Sequence, residues 1–275
     1  MKRSLSELKD LAYAIRHDVL NMTYHAGANG GHIGGGFSAA DILAVLYGEV
    51  LELTPETVTS PERNRFFLSK GHVALAHYAA LAETGFIPKE DLDQFEVSGS
   101  AYPTHEVMAP DKGIETSSGS LGYGLSIGIG SALAAKMQKR DSKVYVLMGD
   151  GECNEGSVWE AVMAGAQFGL DNLYAIVDIN GQSLDGYTRS IMPVRDFKGA
   201  FQSFGWKTIE ADGNNIESLV HAFEEQVSAG VPTAILAYTA KSKGLKSIEN
   251  QVGWHHARLD DEQYQKLLSE LEGES

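Results

Sequence analysis

The amino-acid sequence predicts an α/β fold with a central, mostly parallel sheet flanked by helices. Two short apolar segments, 143–148 and 172–179, have the length and continuous hydrophobicity of strands that are buried on both faces. Between them, segment 157–168 has the apolar spacing of a helix. Two strands joined by one crossing helix run parallel in the same sheet, so this unit sets the fold class.

The N-terminal part of the chain is predicted to be helical. Apolar residues at helical spacing predict a first helix over 4–24, followed by the glycine-rich segment HAGANGGHIGGGF. Ser38 is then predicted to be the N-cap of a second helix over 39–51, with Asp41 three positions further on. A glycine-rich loop is therefore expected to lead into a helix N-terminus.

The remaining elements alternate helix and strand. Helices are predicted over 73–83, after the tetrapeptide SKGH, and over 122–136, where small residues dominate. A helix over 216–229 precedes a strand over 232–240, and an exposed, charged helix is expected from residue 260 onward. We find no linker, so residues 1–275 are predicted to form one domain, with 1–24 as its N-terminal helix and 257–275 as a helical tail.

Composition limits the classes of function. The formal net charge of −15 argues against nucleic acid or an anionic membrane as the main partner, because both require basic surface. The single cysteine, Cys153, fits a reducing compartment. The opening residues are charged, and no run of about 18 apolar residues occurs, which predicts a soluble, cytoplasmic protein.

An acidic cluster follows the first predicted strand. Asp150, Glu152 and Glu155 lie within six residues, an arrangement that is unfavourable unless a positive group is shared among them. Asn180 follows the next strand, and the carboxyl ends of parallel strands meet in one crevice where ligands bind. Because Mg²⁺ prefers oxygen ligands, Asp150, the Asn180 amide oxygen and a nearby main-chain carbonyl predict a magnesium site.

These residues belong to a series of motifs that resembles the transketolase family. GDG, then NEG, and NG about thirty residues after GDG resemble a thiamine diphosphate motif. The resemblance extends over eight segments in the family's order, which are GGHIGGGFSAADILAVLY, SKGH, THE, ETSSGSLGYG, GDGECNEG, DINGQSLDG, ADGNN, and KSKG followed by GWH. It implies a three-layer thiamine diphosphate-binding fold and a magnesium-dependent transfer of two-carbon ketol units between sugar phosphates.

The resemblance also implies roles for individual residues. Asp150, Asn180 and the carbonyl of Gln182 would hold Mg²⁺, for which Ca²⁺ or Mn²⁺ could substitute. Residues expected beside the cofactor are Gly35, His72, Gly119, Ser120, Leu121, Gly151, Asn180, Leu184, Lys241 and His255. Residues expected to take part in catalysis are His32, His105 and His255. Glu155 and Glu160 match glutamates that, in the family, link two cofactor sites across a subunit interface. Gly35 departs from the family, because it stands where a serine often contacts the diphosphate.

The resemblance covers only the first of three transketolase domains. Nothing in the sequence resembles the pyrimidine-binding domain, whose glutamate activates the cofactor. We therefore expect the N-terminal subunit of a split transketolase, completed as an α₂β₂ assembly by a second polypeptide with the pyrimidine-binding and C-terminal domains. The α subunit of a 2-oxo acid dehydrogenase and a non-catalytic cofactor-binding protein stay open as alternatives. The sequence does not choose between pentose phosphates, branched sugars and sulfosugars as substrates.

Overall fold

A five-stranded parallel sheet forms the centre of the computed structural model, which describes residues 2–273. In chain order the strands are β1 (Arg65–Leu68), β2 (Val144–Gly149), β3 (Leu173–Ile179), β4 (Gln182–Ser183), β5 (Gly186–Tyr187), β6 (Lys207–Asp212) and β7 (Thr233–Tyr238). The sheet has the order β1-β2-β3-β7-β6, and all of its pairs are parallel. β4 and β5 form a separate antiparallel hairpin. The predicted fold class is confirmed.

Helices cover both faces of the sheet. They are α1 (Leu5–His25), α2 (Ile33–Val45), α3 (Ala74–Glu83), α4 (Gly124–Met137), α5 (Gly156–Gln167), α6 (Thr188–Ile191), α7 (Phe197–Ser203), α8 (Ile216–Glu224) and α9 (Asp261–Glu272). Successive strand side chains point to opposite faces. Tyr145 and Leu147 of β2 therefore pack in a core with α1, α2 and α3, while Val144, Val146 and Met148 pack in a second core with α4 and α5. The result is the expected three layers.

Helix α2 begins at Ile33, so the predicted N-cap at Ser38 is wrong. Ser38 is fully buried inside the helix; its Oγ donates to Asp178 Oδ2 at 2.7 Å and lies 3.0 Å from the carbonyl oxygen of Gly35. Glycines 34–36 resemble a loop in sequence, but they form the first turn of the helix. Glycine is needed there because the backbone packs closely against its neighbours.

Helix α2 continues into a π-helical turn, Leu46–Val50. The combined stretch Ile33–Val50 is long and apolar enough to cross a membrane by length and composition alone. However, 89% of it is buried inside the fold. This burial is typical of the core helix of a globular protein, which is apolar on all sides.

The two terminal helices pack against each other. The rings of Tyr24 in α1 and Tyr264 in α9 stack at 4.1 Å, and Asp260 caps α9. The expectation that α9 is exposed is wrong for its apolar face, since Leu267 and Leu271 are buried in the core. Residues 274 and 275 of the predicted tail lie outside the described residues. That the whole chain is one domain stays a prediction.

Sequence patterns miss the two edge strands, β1 and β6. β1 has only four residues, and β6 alternates buried and exposed side chains near its end, as one-sided strands do. Neither segment has the long apolar run that identifies the central strands. Helix α8 ends at Glu224, before the predicted end at 229.

Candidate cofactor site

A cavity of about 300 Å³ opens at the carboxyl ends of β2 and β3. Asp150 and Asn180, which directly follow these strands, both line the cavity, as the strand order predicts. The full lining is Lys70, His72, His105, Gly119, Leu121, Gly149, Asp150, Gly151, Glu152, Asn180, Gln182, Ser183, Leu184, Asp185, Lys241 and His255. Basic, acidic and amide groups thus converge on one space.

Asp150 has one carboxylate oxygen bound by the protein and one that is not. Its Oδ2 accepts hydrogen bonds from Gly181 N at 2.9 Å and Thr188 Oγ1 at 3.3 Å. Its Oδ1 is buried without a hydrogen-bond partner, and so is Oε1 of Gln182. Burial, together with the nearby Asp178 carboxylate, raises the pKa of Asp150 to about 6. A buried, unpartnered carboxylate oxygen fits a cation, and the amide oxygen of Asn180, which lines the same cavity, fits the same hard ion.

The candidate metal ligands are oxygen atoms of three residues, the Asp150 carboxylate, the Asn180 side-chain amide and the Gln182 carbonyl. Within residues 2–273, no three His, Cys, Asp or Glu side chains are arranged to hold a metal ion. Mg²⁺ is commonly held by one or two protein carboxylates, while phosphate and water complete its six ligands. The donor set at Asp150 therefore fits Mg²⁺ bound together with a phosphorylated ligand.

Two buried lysines supply positive charge to the cavity. Lys70 Nζ pairs with Asp178 beneath the cavity, and this pair is almost fully buried. Lys241 Nζ lies 2.7 Å from His255 Nδ1. Burial, together with the charge of Lys70, lowers the pKa of Lys241 to about 8. The charge of Lys241 is thus poorly compensated within the protein, which favours an anionic ligand.

Five histidines form a cluster beside the cavity. The ring centroid of His32 lies 5.3 Å from that of His72, 6.0 Å from His105, 5.4 Å from His255 and 4.7 Å from His256. Burial, with nearby basic groups, lowers the pKa of both His32 and His255 to about 3. Burial likewise lowers the pKa of His72 well below its usual range. The imidazoles of His32, His72 and His255 are therefore neutral near pH 7.

Close backbone contact brings His32 to this cluster. Ser242 N donates to the carbonyl oxygen of Gly34 at 3.1 Å, and Gly31 N donates to that of Ala257 at 2.9 Å. A Cβ atom on Gly34 would lie 2.6 Å from the carbonyl oxygen of Trp254. Glycine is thus required at position 34 because the segment that carries His255 approaches the helix backbone too closely for a side chain.

A buried side-chain network supports the loop that carries His105. Glu106 is buried, and its Oε2 lies 2.6 Å from His77 Nδ1, whose ring also contacts Tyr47 Oη through Nε2 at 2.6 Å. Ser118 N donates to the carbonyl oxygen of Glu106 at 3.0 Å. Glu106 therefore connects the loop of His105 and the 118–119 segment to His77 of α3.

Most of the residues that the sequence analysis proposed line the cavity. They are His72, His105, Gly119, Leu121, Asp150, Gly151, Asn180, Gln182, Leu184, Lys241 and His255. His32 belongs to the histidine cluster, and a Cβ on Gly35 would lie 3.5 Å from His72 Nε2. Ser120 is exposed next to the lining residues, while Glu155 and Glu160 are exposed outside the cavity. The roles of all these residues stay predictions.

Sequence reasoning misses four polar residues of the site, Lys70, Glu152, Asp178 and His256. Lys70 lies inside the SKGH motif and Asp178 inside a predicted strand, where a charged residue in an apolar run signals a buried pair. Glu152 receives no role from the sequence motifs, although it lines the cavity. His256 adjoins His255 in the sequence, and its ring lies against that of His32.

A larger cleft, of about 480 Å³, lies between α1, α2 and the start of α8. Its central charged groups pair with one another. Asp41 accepts from Arg16 and, at 2.9 Å, from Asn214 Nδ2. Because these charges are already compensated, the smaller cavity is the better candidate for a charged ligand.

Comparisons with known proteins identify the family of this chain. The family described as the transketolase, thiamine diphosphate binding domain matches residues 8–273. An apulose-4-phosphate transketolase subunit of Phocaeicola vulgatus is 39% identical over 260 residues, covering 93% of this chain and 90% of that protein. The 6-deoxy-6-sulfo-D-fructose transketolase subunit of a Clostridium species is 39% identical over 245 residues, covering 89% of each chain.

Solved structures show the same fold. The transketolase of Campylobacter jejuni superposes with a TM-score of 0.85 at 29% identity, covering 98% of this chain but 42% of that one. The chain therefore spans less than half of that transketolase. The comparisons favour a transketolase-type subunit over the 2-oxo acid dehydrogenase alternative, and they confirm the expected function at the level of the family. This chain belongs to the transketolase family, as its N-terminal, thiamine diphosphate-binding part.

Proposed function

We propose that this chain is the diphosphate-binding subunit of a split transketolase that transfers two-carbon ketol units between sugar phosphates or related sugars. The observation that carries the proposal is the buried, unpartnered Oδ1 of Asp150, a residue that lines one cavity together with Asn180 and Lys241. Thiamine diphosphate, when bound, supplies the carbanion chemistry of ketol transfer. The residues of this chain would bind and orient the cofactor and would exchange protons with the sugar.

Asp150, Asn180 and the Gln182 carbonyl would hold Mg²⁺, with Ca²⁺ or Mn²⁺ as possible substitutes. Lys241 and His255 would balance the diphosphate charge, with His72 and the backbone of Gly151 nearby. Residues that would contact the thiazolium or its linker are Gly119, Ser120, Leu121 and Leu184. Support comes from the cavity lining, which contains all of these except Ser120.

His32, His105 and His255 would exchange protons with the sugar. Their rings are grouped within one cluster, and burial keeps His32 and His255 neutral near pH 7. A neutral imidazole can accept a hydroxyl proton and return it later, as ketol transfer requires. Gly35 would leave one diphosphate contact to backbone N–H groups, since it provides no hydroxyl.

A second polypeptide would complete the active site. Two curated relatives of similar length are named as transketolase subunits, whereas the solved transketolase is more than twice as long. Helices α4, α5 and the residues next to them also expose apolar side chains, 41–77% accessible, at Tyr123, Ile127, Met137, Met163 and Phe168. Monomeric proteins rarely expose such a patch. Glu155 directly precedes α5, Glu160 lies within it, and both are exposed, which supports their interface role in an α₂β₂ assembly of the cytoplasm.

The substrate sugar stays open within this class. The two similar subunits carry names with different sugars, apulose 4-phosphate in one and 6-deoxy-6-sulfo-D-fructose in the other. Their identity to this chain is 39% in both cases, so identity favours neither sugar. A panel of ketose donors and aldose acceptors is therefore the appropriate screen.

Reconstitution tests the proposal. The chain is co-expressed with a candidate subunit that carries the pyrimidine-binding glutamate, and ketol transfer is measured with Mg²⁺ and thiamine diphosphate. We expect turnover only when both polypeptides are present, and none after chelation of the metal. Turnover at a normal rate by this chain alone would contradict the split-subunit proposal. A complex that forms but never binds the cofactor would favour the non-catalytic alternative.

A further inference from the structure

Glu152 is a second buried carboxylate at the end of β2, and its surroundings differ from those of Asp150. Only 3% of its surface is exposed. Its Oε1 accepts hydrogen bonds from Gly122 N at 2.8 Å and from Ser69 Oγ, and its Oε2 accepts from Gly149 N at 3.1 Å. The carboxylate therefore has three donors from the protein, whereas Asp150 keeps one oxygen free.

The three donors belong to three different segments of the cavity lining. Ser69 directly precedes Lys70 and the segment of His72. Gly122 directly follows the 119–121 loop, and Gly149 directly precedes Asp150. Ser69 Oγ in turn accepts from Gly124 N at 3.1 Å, which extends the network to the first residue of α4. One carboxylate thus joins the ends of β1 and β2 to the loop before α4.

The local packing leaves these groups little room to rearrange. Gly122 has a φ of 84°, and a Cβ on it would lie 2.7 Å from the Cβ of Glu155. A Cβ on Gly124 would lie 2.4 Å from the Cβ of Ser69. The loop therefore approaches Glu152 through bare backbone, and the N–H of Gly122 has the carboxylate as its acceptor.

We propose that Glu152 is a positioning residue, which fixes the 119–121 loop relative to Asp150 so that both ends of the cofactor are bound at the correct separation. This proposal rests on the proposed function, because it assumes that the cavity binds thiamine diphosphate. Glu152 acts through Gly122, Ser69 and Gly149, and it neither holds the metal nor exchanges protons with the substrate.

Glutamine is the informative replacement because it keeps the shape and changes the hydrogen bonding. An amide has one acceptor oxygen, so in Glu152→Gln the NH₂ group would face at least one backbone N–H, that of Gly122 or Gly149. Glu152→Asp keeps the carboxylate on a shorter chain and is expected to restore part of the network. Glu217→Gln, on the exposed surface of α8 where Glu217 pairs with Lys9, is the matched control.

Hydrogen–deuterium exchange on the chain without ligand measures the positioning directly. In Glu152→Gln we expect exchange to accelerate about tenfold in peptides that cover 118–124 and 149–151, since a buried donor loses its acceptor. Exchange in α1, which does not contact Glu152 or its three donors, should not change in Glu152→Gln or in Glu152→Asp. Accelerated exchange throughout the chain would show a general structural role and would overturn the proposal, as would unchanged exchange in both peptides.

Cofactor affinity provides the second measurement, on the complex with the partner subunit. We expect the Kd for magnesium thiamine diphosphate to rise about tenfold in Glu152→Gln, to rise less in Glu152→Asp, and not to change in Glu217→Gln. If Glu152→Gln does not fold, Ser69→Ala removes one donor and should raise the Kd about threefold. An unchanged Kd in the folded variant would overturn the proposal. Failure of the wild-type complex to bind the cofactor would instead contradict the proposed function.

Discussion

Two neighbouring groups of buried polar residues differ in how fully they are paired. The first, here called the floor, consists of Asp178, Lys70, Ser38 and Thr239, and both carboxylate oxygens of Asp178 accept hydrogen bonds from the other three. The second, here called the wall, consists of Asp150, Asn180 and Gln182. In the wall, Asp150 Oδ1 and Gln182 Oε1 have no partner.

The pKa values of the two aspartates follow this difference. Burial alone would raise both, but Lys70 and the hydroxyl donors hold the pKa of Asp178 below its ordinary value. Asp150 has no such paired cation, and its pKa is raised to about 6. Removing one partner of a fully paired buried carboxylate destabilises the fold, whereas an incompletely paired carboxylate is a candidate for ligand binding. Variants in the floor should therefore affect folding, and variants in the wall should affect binding.

Asp178→Ala should give the largest loss of stability. It leaves Lys70 buried without its counter-charge, and we expect the free energy of unfolding to fall by about 3–5 kcal/mol. Urea denaturation followed by circular dichroism measures this change. The double variant Asp178→Ala with Lys70→Met removes both charges and should recover part of the loss. A loss below about 1 kcal/mol would remove the distinction between the floor and the wall.

Asp150→Ala should have the opposite effect, a large loss of cofactor affinity with little change in the free energy of unfolding. Without the carboxylate, we expect magnesium-dependent cofactor affinity to fall by more than about 100-fold, since even indirect ligand contacts contribute 10–100-fold. The stability of the ligand-free chain should change by less than about 1 kcal/mol, because one oxygen of Asp150 is unpaired there. Titration calorimetry with and without Mg²⁺ measures the first effect. Unchanged affinity would exclude Asp150 as a metal ligand.

His77→Leu tests a third group of buried polar residues, the Glu106–His77 pair that holds the loop of His105. It leaves the Glu106 carboxylate buried without its imidazole partner, so we expect a loss of about 2 kcal/mol in unfolding free energy. Adding Glu106→Gln removes the charge and should reduce that loss. A double-mutant cycle over the two positions gives their coupling energy. A coupling near zero would mean that the pair does not support the loop.

The wall was predictable from sequence, whereas the floor was not. Asp150 and Asn180 follow apolar strands of one βαβ unit, and parallel pairing alone brings strand ends together. Asp178 and Ser38 are 140 residues apart, and no local pattern indicates that they share a hydrogen bond. Long-range side-chain pairing depends on how α2 packs against the sheet.

The same distinction applies to the fold. The central strands β2, β3 and β7 were predictable because burial on both faces leaves a continuous apolar run. The start of α2 was not, because its glycines are required by tertiary contact with the segment around Trp254 and not by a turn. Glu152 stands out by its sequence context, but its three donors come from loops whose positions the sequence does not predict.

The pH dependence of cofactor affinity should show the smallest effect, and it concerns Lys241. The pKa of Lys241 is lowered to about 8, so the ligand-free protein loses this positive charge as the pH rises through 8. A bound diphosphate favours the protonated amine, so binding takes up a proton above pH 8 and affinity falls with rising pH. We expect the Kd to rise by up to about tenfold per pH unit above pH 8, whereas below pH 8 the ionisation of Lys241 should not change the Kd.

In Lys241→Arg the guanidinium stays charged over this range, so the slope of Kd against pH between about pH 8 and pH 9.5 should disappear. An equal slope in both proteins would assign the pH dependence to another group and would remove Lys241 from the set of residues that balance the diphosphate.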